Sequence, residues 1–245
     1  MTSKDGSQQN SAERSLDSTA KKPFLAAQYA SDNKKHLLLC ASGSVATIKI
    51  PDILQSLSKH NNLSIRLIFT KAATSFLSSL NSVTPNIEML NLIRNVDGIF
   101  FDDDEWVNPW KRGDPILHIE LRRWSDMMVI APLSANTLAK IVNGLADNLL
   151  TSVVRAWDIE ARKKIIVAPA MNTAMWNHPI TKTQLKLLES EWGIDENATG
   201  EKEACQGWFE VLRPVEKMLA CGDVGVGAMK DYQQIVKVIE LRLAL

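Results

Sequence analysis

Four short apolar runs, His36–Ala41, Leu63–Phe69, Met127–Ala131 and Lys164–Ala168, constrain this chain more than any other feature. Each has the length of a strand, and apart from Ser64 and Arg66 in the second run their interiors are apolar. That is the pattern of strands buried on both faces of a parallel sheet. Between and after them lie segments with helical periodicity, over Thr47–Lys59, Ala72–Leu80, His118–Ser125, from Asn136 to about Val142, Asp147–Trp157, Thr181–Trp192 and Tyr232–Leu245. Phe209–Leu212 reads as a last strand. Strands alternating with helices predict an α/β fold built on a doubly wound, mainly parallel sheet.

Around this frame lie three segments without such a pattern. Residues 1–32 are polar and read as a disordered tail, with Pro23-Phe24-Leu25 as a local docking point. Residues 81–115, with the acidic cluster Asp102-Asp103-Asp104-Glu105, read as a long surface excursion. Residues 193–207 read as an exposed insertion, and Leu219–Met229 as a Gly-rich loop. Lysine plus arginine equals aspartate plus glutamate, 28 against 28, so net charge gives no argument for a nucleic-acid partner. No apolar run is long enough to span a bilayer, and the N-terminus lacks a charged-then-apolar signal pattern. Three cysteines (Cys40, Cys205, Cys221) without a C-x-x-C pair point to free thiols in a reducing compartment, and the expected localisation is cytoplasmic. The four histidines (His36, His60, His118, His178) are never spaced as metal-ligand pairs, so no metal is expected.

Ligands of open α/β sheets bind beyond the carboxyl ends of the strands. The residues there are small and polar. Ser42-Gly43-Ser44-Val45 follows the first run and Thr70-Lys71 the second. Ser134-Ala135-Asn136-Thr137 follows the third, and Pro169-Ala170-Met171-Asn172-Thr173-Ala174-Met175-Trp176 the fourth. Backbone N–H groups at such turns, with the Ser44 hydroxyl, suit a phosphate. One glycine where a dinucleotide fingerprint has three favours a mononucleotide. Asn172 reads as an amide donor and acceptor for a ligand, or as the N-cap of a helix. Met171, Met175 and Trp176 read as a surface for a ring, or as core. His118 suits proton transfer near neutral pH, against a structural histidine as the alternative. Cys221, before Gly222, Gly225 and Gly227, reads as a mobile thiol, and Cys40 as a buried inert one.

Five motifs occur in the order of a known family: Ala41–Ala46, His118–Trp124, Pro132–Thr137, Pro169–Trp176 and Ala220-Cys221-Gly222-Asp223. Over about residues 35–245 the chain resembles the phosphopantothenoylcysteine decarboxylases, within the homo-oligomeric flavin-containing cysteine decarboxylase family. Its tail and insertion look most like those of fungal members. The resemblance implies a Rossmann-like (flavodoxin-like) three-layer α/β/α subunit, with residues 33–245 forming one flavoprotein domain. It implies FMN at subunit interfaces of a homotrimer, held by Gly43, Ser44, Val45, Thr70, Lys71, Ser134, Ala135, Asn136, Thr137, Ala170 and Met171. The implied substrate is 4′-phospho-N-pantothenoylcysteine, an intermediate of coenzyme A synthesis, contacted by Asn172, Ala220 and Met229. In the family's reaction the cysteine moiety is oxidised to a thioaldehyde and loses carbon dioxide. The resulting enethiol is then reduced to 4′-phosphopantetheine. His118 would be the base or proton relay, and Cys221, on a flap, would supply the final proton. A second function implied by fungal relatives is inhibition of a type 1 protein phosphatase. Such relatives often carry an acidic C-terminal tail, whereas this chain ends in Leu241-Arg242-Leu243-Ala244-Leu245.

Overall fold

The computed structural model describes residues 23–77, 86–107, 109–160, 163–194, 207–218 and 224–245. Its first half runs β1 (Lys35–Ala41), a 3-10 turn (Val45–Lys49), α1 (Ile50–Leu57), β2 (Leu63–Phe69), α2 (Lys71–Thr74), α3 (Ile87–Leu90), β3 (Val96–Phe101), a second 3-10 turn (Asp102–Trp106) and α4 (Leu117–Trp124). The second half runs β4 (Met127–Leu133), α5 (Ala135–Val142), α6 (Leu149–Arg155), β5 (Lys164–Pro169), α7 (Thr173–Asn177), α8 (Pro179–Lys186), β6 (Phe209–Val211), β7 (Val215–Met218), β8 (Val224–Ala228) and α9 (Tyr232–Leu243).

The six strands β3-β2-β1-β4-β5-β6 form one sheet in that order, and every pairing in it is parallel. Helices cover both faces, as the run of buried strands requires. Leu37, Leu39 and Ala41 of β1 pack on one side with Ile50, Ile53, Leu54 and Leu57 of α1 and with Ile235 and Ile239 of α9. Leu38 and Cys40 pack on the other side with α4, α5, α6 and α8 residues such as Leu121, Leu138, Val153 and Leu185. In α1 the buried positions fall at i, i+3, i+4 and i+7, which lays one apolar stripe on the sheet. Burial pushes the Cys40 thiol well above its ordinary pKa, as expected of an inert core cysteine.

Strand order reverses between β1 and β4: β2 and β3 lie to one side, β5 and β6 to the other. This switch point leaves a crevice at the carboxyl edge of the sheet, because the loops after β1 and β4 diverge to opposite faces.

Three sequence expectations are corrected. The excursion at 81–115 contains β3, an edge strand on β2. Asp97 and Gly98 interrupt its apolar pattern, as an edge position tolerates. A Cβ on Gly98 would lie 2.8 Å from the Arg66 guanidinium, so the glycine gives that side chain room. Part of the Gly-rich loop is β8, paired antiparallel with β7. Residues 23–32, assigned to the tail, dock on the fold at Phe24, as the sequence suggests, and on through Tyr29. The Arg66 guanidinium lies 4.3 Å from the Phe24 ring and 4.8 Å from the Tyr29 ring, and Ala26 N–H donates to Glu120 at 2.8 Å. Residues 1–22, 195–206 and 219–223, which carry the remaining tail, most of the insertion, Ala220 and Cys221, lie outside the described residues. Among the described residues no helix is long and apolar enough to cross a membrane.

Candidate active site

A cleft of about 540 Å³ opens at the switch point. Its wall is assembled from four strand ends, and each is shaped by local sequence. After β1, the buried Ser42 hydroxyl donates to Pro132 O at 3.0 Å and accepts the Ser134 N–H at 2.8 Å. This joins the β1 and β4 turns side by side. Gly43 permits a close approach, because a Cβ there would sit 2.6 Å from the Ala72 Cβ. Ser44 caps the 3-10 turn by accepting the Ala46 N–H at 3.4 Å. Thr70 Oγ1 caps α2 through the Ala73 N–H, Ser134 Oγ caps α5 through the Thr137 N–H, and Asn148 Oδ1 caps α6 through the Thr151 N–H. Several helix starts therefore point their N–H ends toward one space, where partial positive charge collects.

After β5, Asn172 Oδ1 accepts the Met175 N–H at 2.8 Å and caps α7. The N-cap reading of Asn172 holds, and the same residue lines the cleft. The cap takes the oxygen and fixes the amide, while the NH2 stays available to a ligand at the cleft. Met171 is 8% exposed and lies between the cleft and the second core face. Its N–H donates to Gly227 O at 3.0 Å, which ties β8 to the cleft wall. A Cβ on Gly227 would lie 2.1 Å from Met171 O, so only glycine fits.

All of Gly43, Ser44, Val45, Thr70, Lys71, Ser134, Ala135, Asn136, Thr137, Ala170, Met171 and Asn172 line this one cleft. Among the described residues, two expected site residues do not. Met229 is 8% exposed inside the α1/α9 core, where its side chain packs rather than faces the cleft. His118 stands at the start of α4, outside the cleft wall. Its Nδ1 lies 2.7 Å from Glu105 Oε1, and its backbone N–H donates to Glu105 Oε2 at 3.1 Å.

Sequence reasoning missed Phe76, Asp102, Lys140 and Asn148, all in the cleft wall. Lys140 is three residues after Thr137, hence on the same face of α5, a spacing that could have flagged it. Its ammonium pairs with Asp147 at 2.6 Å and holds that carboxyl below its ordinary pKa. Asp102 accepts the Lys71 N–H and the Leu149 N–H, each at 3.2 Å, and so anchors the starts of α2 and α6. The acidic cluster is thus partly structural: Asp102 braces the cleft, Asp104 accepts the Phe101 N–H and Glu105 holds His118.

Fold and cleft together define a mononucleotide-binding α/β protein, with donors for a phosphate beside an apolar floor for a ring. A model of the Flavoprotein family matches residues 25–244, and the chain belongs to that family. It is 44% identical over 208 residues to a probable phosphopantothenoylcysteine decarboxylase of Arabidopsis thaliana, covering 85% of this chain and 88% of that one. Among solved structures it is similar to a cysteine-to-serine mutant of PPC decarboxylase complexed with pantothenoylaminoethenethiol. The TM-score is 0.69 at 40% identity, over 86% of this chain and all of the other. The FMN binding protein AtHal3 aligns with TM-score 0.63 at 40% identity, over 85% and 96% of the two chains.

Proposed function

We propose that this chain is an FMN-dependent decarboxylase that converts 4′-phospho-N-pantothenoylcysteine to 4′-phosphopantetheine in coenzyme A biosynthesis. The observation that carries this reading is the single cleft into which all four strand ends converge, closed by an amide on a helix cap. The donor set fits FMN. Ser44 and Thr70 use their oxygens as caps, which leaves each O–H free to donate to a phosphate, whereas the Ser134 O–H already donates to Thr137 Oγ1 at 3.2 Å. Lys71 adds positive charge, and Val45, Ala135, Ala170 and Met171 supply apolar contact for a ring. Bound there, FMN would supply a reversible two-electron acceptor for the oxidation of the substrate's cysteine moiety and the later reduction of the decarboxylated product.

The chain's own residues orient and protonate. The Asn172 NH2 donates to the substrate carboxylate and holds it over the ring without adding a fixed positive charge. A cation would stabilise the carboxylate that has to leave, which is the wrong state to favour. Cys221 supplies the proton that completes the product. His118 works on a neighbouring copy's cleft, in a homotrimer with its sites at subunit interfaces. Two features support that assembly: His118 stands outside its own cleft, and Val45 and Met175, large apolar residues of the cleft wall, are exposed. The test is direct. The purified protein should be yellow and should release carbon dioxide from the substrate. A protein that cannot be reconstituted with FMN would end this reading.

A further inference from the structure

The Glu105–His118 pair is more than a helix cap. Glu105 lies in the 3-10 turn after β3, and its side chain is only 5% exposed. One carboxylate oxygen accepts the His118 backbone N–H, which is all that a cap of α4 needs. The other oxygen sits 2.7 Å from Nδ1 of the same residue. Gripping both backbone and ring fixes the χ angles of the imidazole as well as the start of the helix. The turn that carries Glu105 is itself braced. Asp104 Oδ2 accepts the Phe101 N–H at 2.8 Å, and Asp102 bonds the starts of α2 and α6.

An ionised carboxylate only accepts hydrogen bonds, so the contact requires a proton on Nδ1. In neutral His118 the lone pair is then on Nε2. Among the described residues Nε2 has no hydrogen-bond partner, and the side chain is 22% exposed. We infer that Glu105 is the positioning residue of His118: it holds the ring in the Nδ1–H tautomer and presents the Nε2 lone pair as the proton acceptor. The inference rests on the decarboxylase reading for the role of His118, but the tautomer itself does not. A substrate proton taken up at Nε2 makes an imidazolium that faces the Glu105 carboxylate, and it returns to water between turnovers. The Glu105 side chain is only 5% exposed and both its oxygens are engaged by His118, so its contribution passes through His118 rather than through substrate contact.

The experiment uses FMN-loaded protein carrying 15N-labelled histidine. Long-range 1H–15N correlation should show His118 of the wild type as the Nδ1–H tautomer. Glu105→Gln, which can also donate to Nδ1, should populate the Nε2–H form. In turnover assays Glu105→Gln should lower kcat by roughly 10²-fold, the lower end of what a positioned base contributes. KM should hold within about 2-fold, because the substrate cleft is untouched. In a His118→Asn background the same substitution should cost nothing further. The wild-type measurement needs no variant to fold, and an Nε2–H tautomer there overturns the inference. So does a Glu105→Gln protein with unchanged kcat, or an equal loss in the His118→Asn background. If wild type releases no carbon dioxide, the decarboxylase reading fails, while the tautomer still decides whether Glu105 sets the ring.

Discussion

Asn172 carries two duties on two atoms, and one substitution separates them. Asn172→Asp keeps an oxygen where Oδ1 accepts the Met175 N–H at 2.8 Å. Aspartate is as good an N-cap as asparagine, so folding stability should move by less than about 0.5 kcal/mol. The NH2, however, becomes a second carboxylate oxygen. The substrate loses a charge-assisted hydrogen bond worth about 1.5–3 kcal/mol. It also meets a like charge, and near a protein surface two charges about 4 Å apart interact by about 4 kcal/mol before salt screening. A combined loss of about 3–6 kcal/mol corresponds to roughly 10²–10⁴-fold in kcat/KM. Asn172→Ala makes the opposite trade. It removes the cap, costing about 1 kcal/mol of stability, or about 2–4 °C in Tm for a chain of this size. It introduces no charge, so it should lose only about 10- to 100-fold in turnover. Thermal unfolding and carbon dioxide release on the two variants should therefore rank them in opposite orders. If Asn172→Asp turns over within about 3-fold of wild type, or if Asn172→Ala is the less active of the two, the carboxylate role of the amide is wrong.

Gly227→Ala places a Cβ against Met171 O and should destabilise by about 1–3 kcal/mol while weakening FMN binding; unchanged Tm and FMN titration would refute the strand contact. Glu240 accepts from His60 at 2.8 Å and Lys59 at 2.9 Å, and these bonds, the histidine's first, hold its carboxyl below the ordinary range. A depressed folded pKa contributes stability that is full above about pH 4.3, the unfolded value, and is lost as pH falls through the folded one. Wild type should thus lose its Tm advantage over Glu240→Gln as pH drops from 6 toward 3, by an amount under about 1 kcal/mol; a constant difference would contradict the assignment. A mixture of His118→Asn and Asn172→Asp chains, refolded together, should regain part of the activity that each lacks alone, measured as carbon dioxide release. No recovery in verified mixed oligomers would place both residues in one chain's site.

The buried strands were legible because their runs are mainly apolar, and β2 falls at Leu63–Phe69 as predicted although Ser64 and Arg66 are set in it. β3 was not, because an edge strand needs only one good face and Val96-Asp97-Gly98 breaks its run. β8 was hidden by glycines that composition alone assigns to a loop, one of which, Gly227, the contact with Met171 requires. The cleft was legible because small polar residues after buried strands are confined to one edge of the sheet. Asp102 and Glu105 were not, because in the sequence they form one acidic cluster, whereas in the fold their carboxylates turn to different partners. The Glu105–His118 contact spans thirteen residues and follows from no periodicity.

In the proposed function, decarboxylation proceeds with FMN cycling and no net oxidation. The direct test is anaerobic turnover of 4′-phospho-N-pantothenoylcysteine by the FMN-loaded protein, with gas and thiol products quantified by mass spectrometry. Wild type should yield carbon dioxide and 4′-phosphopantetheine in equal amounts over many turnovers, and Cys221→Ser should release carbon dioxide but stop at the unsaturated enethiol. An absolute need for an external oxidant, or a full yield of saturated product from Cys221→Ser, would contradict the account.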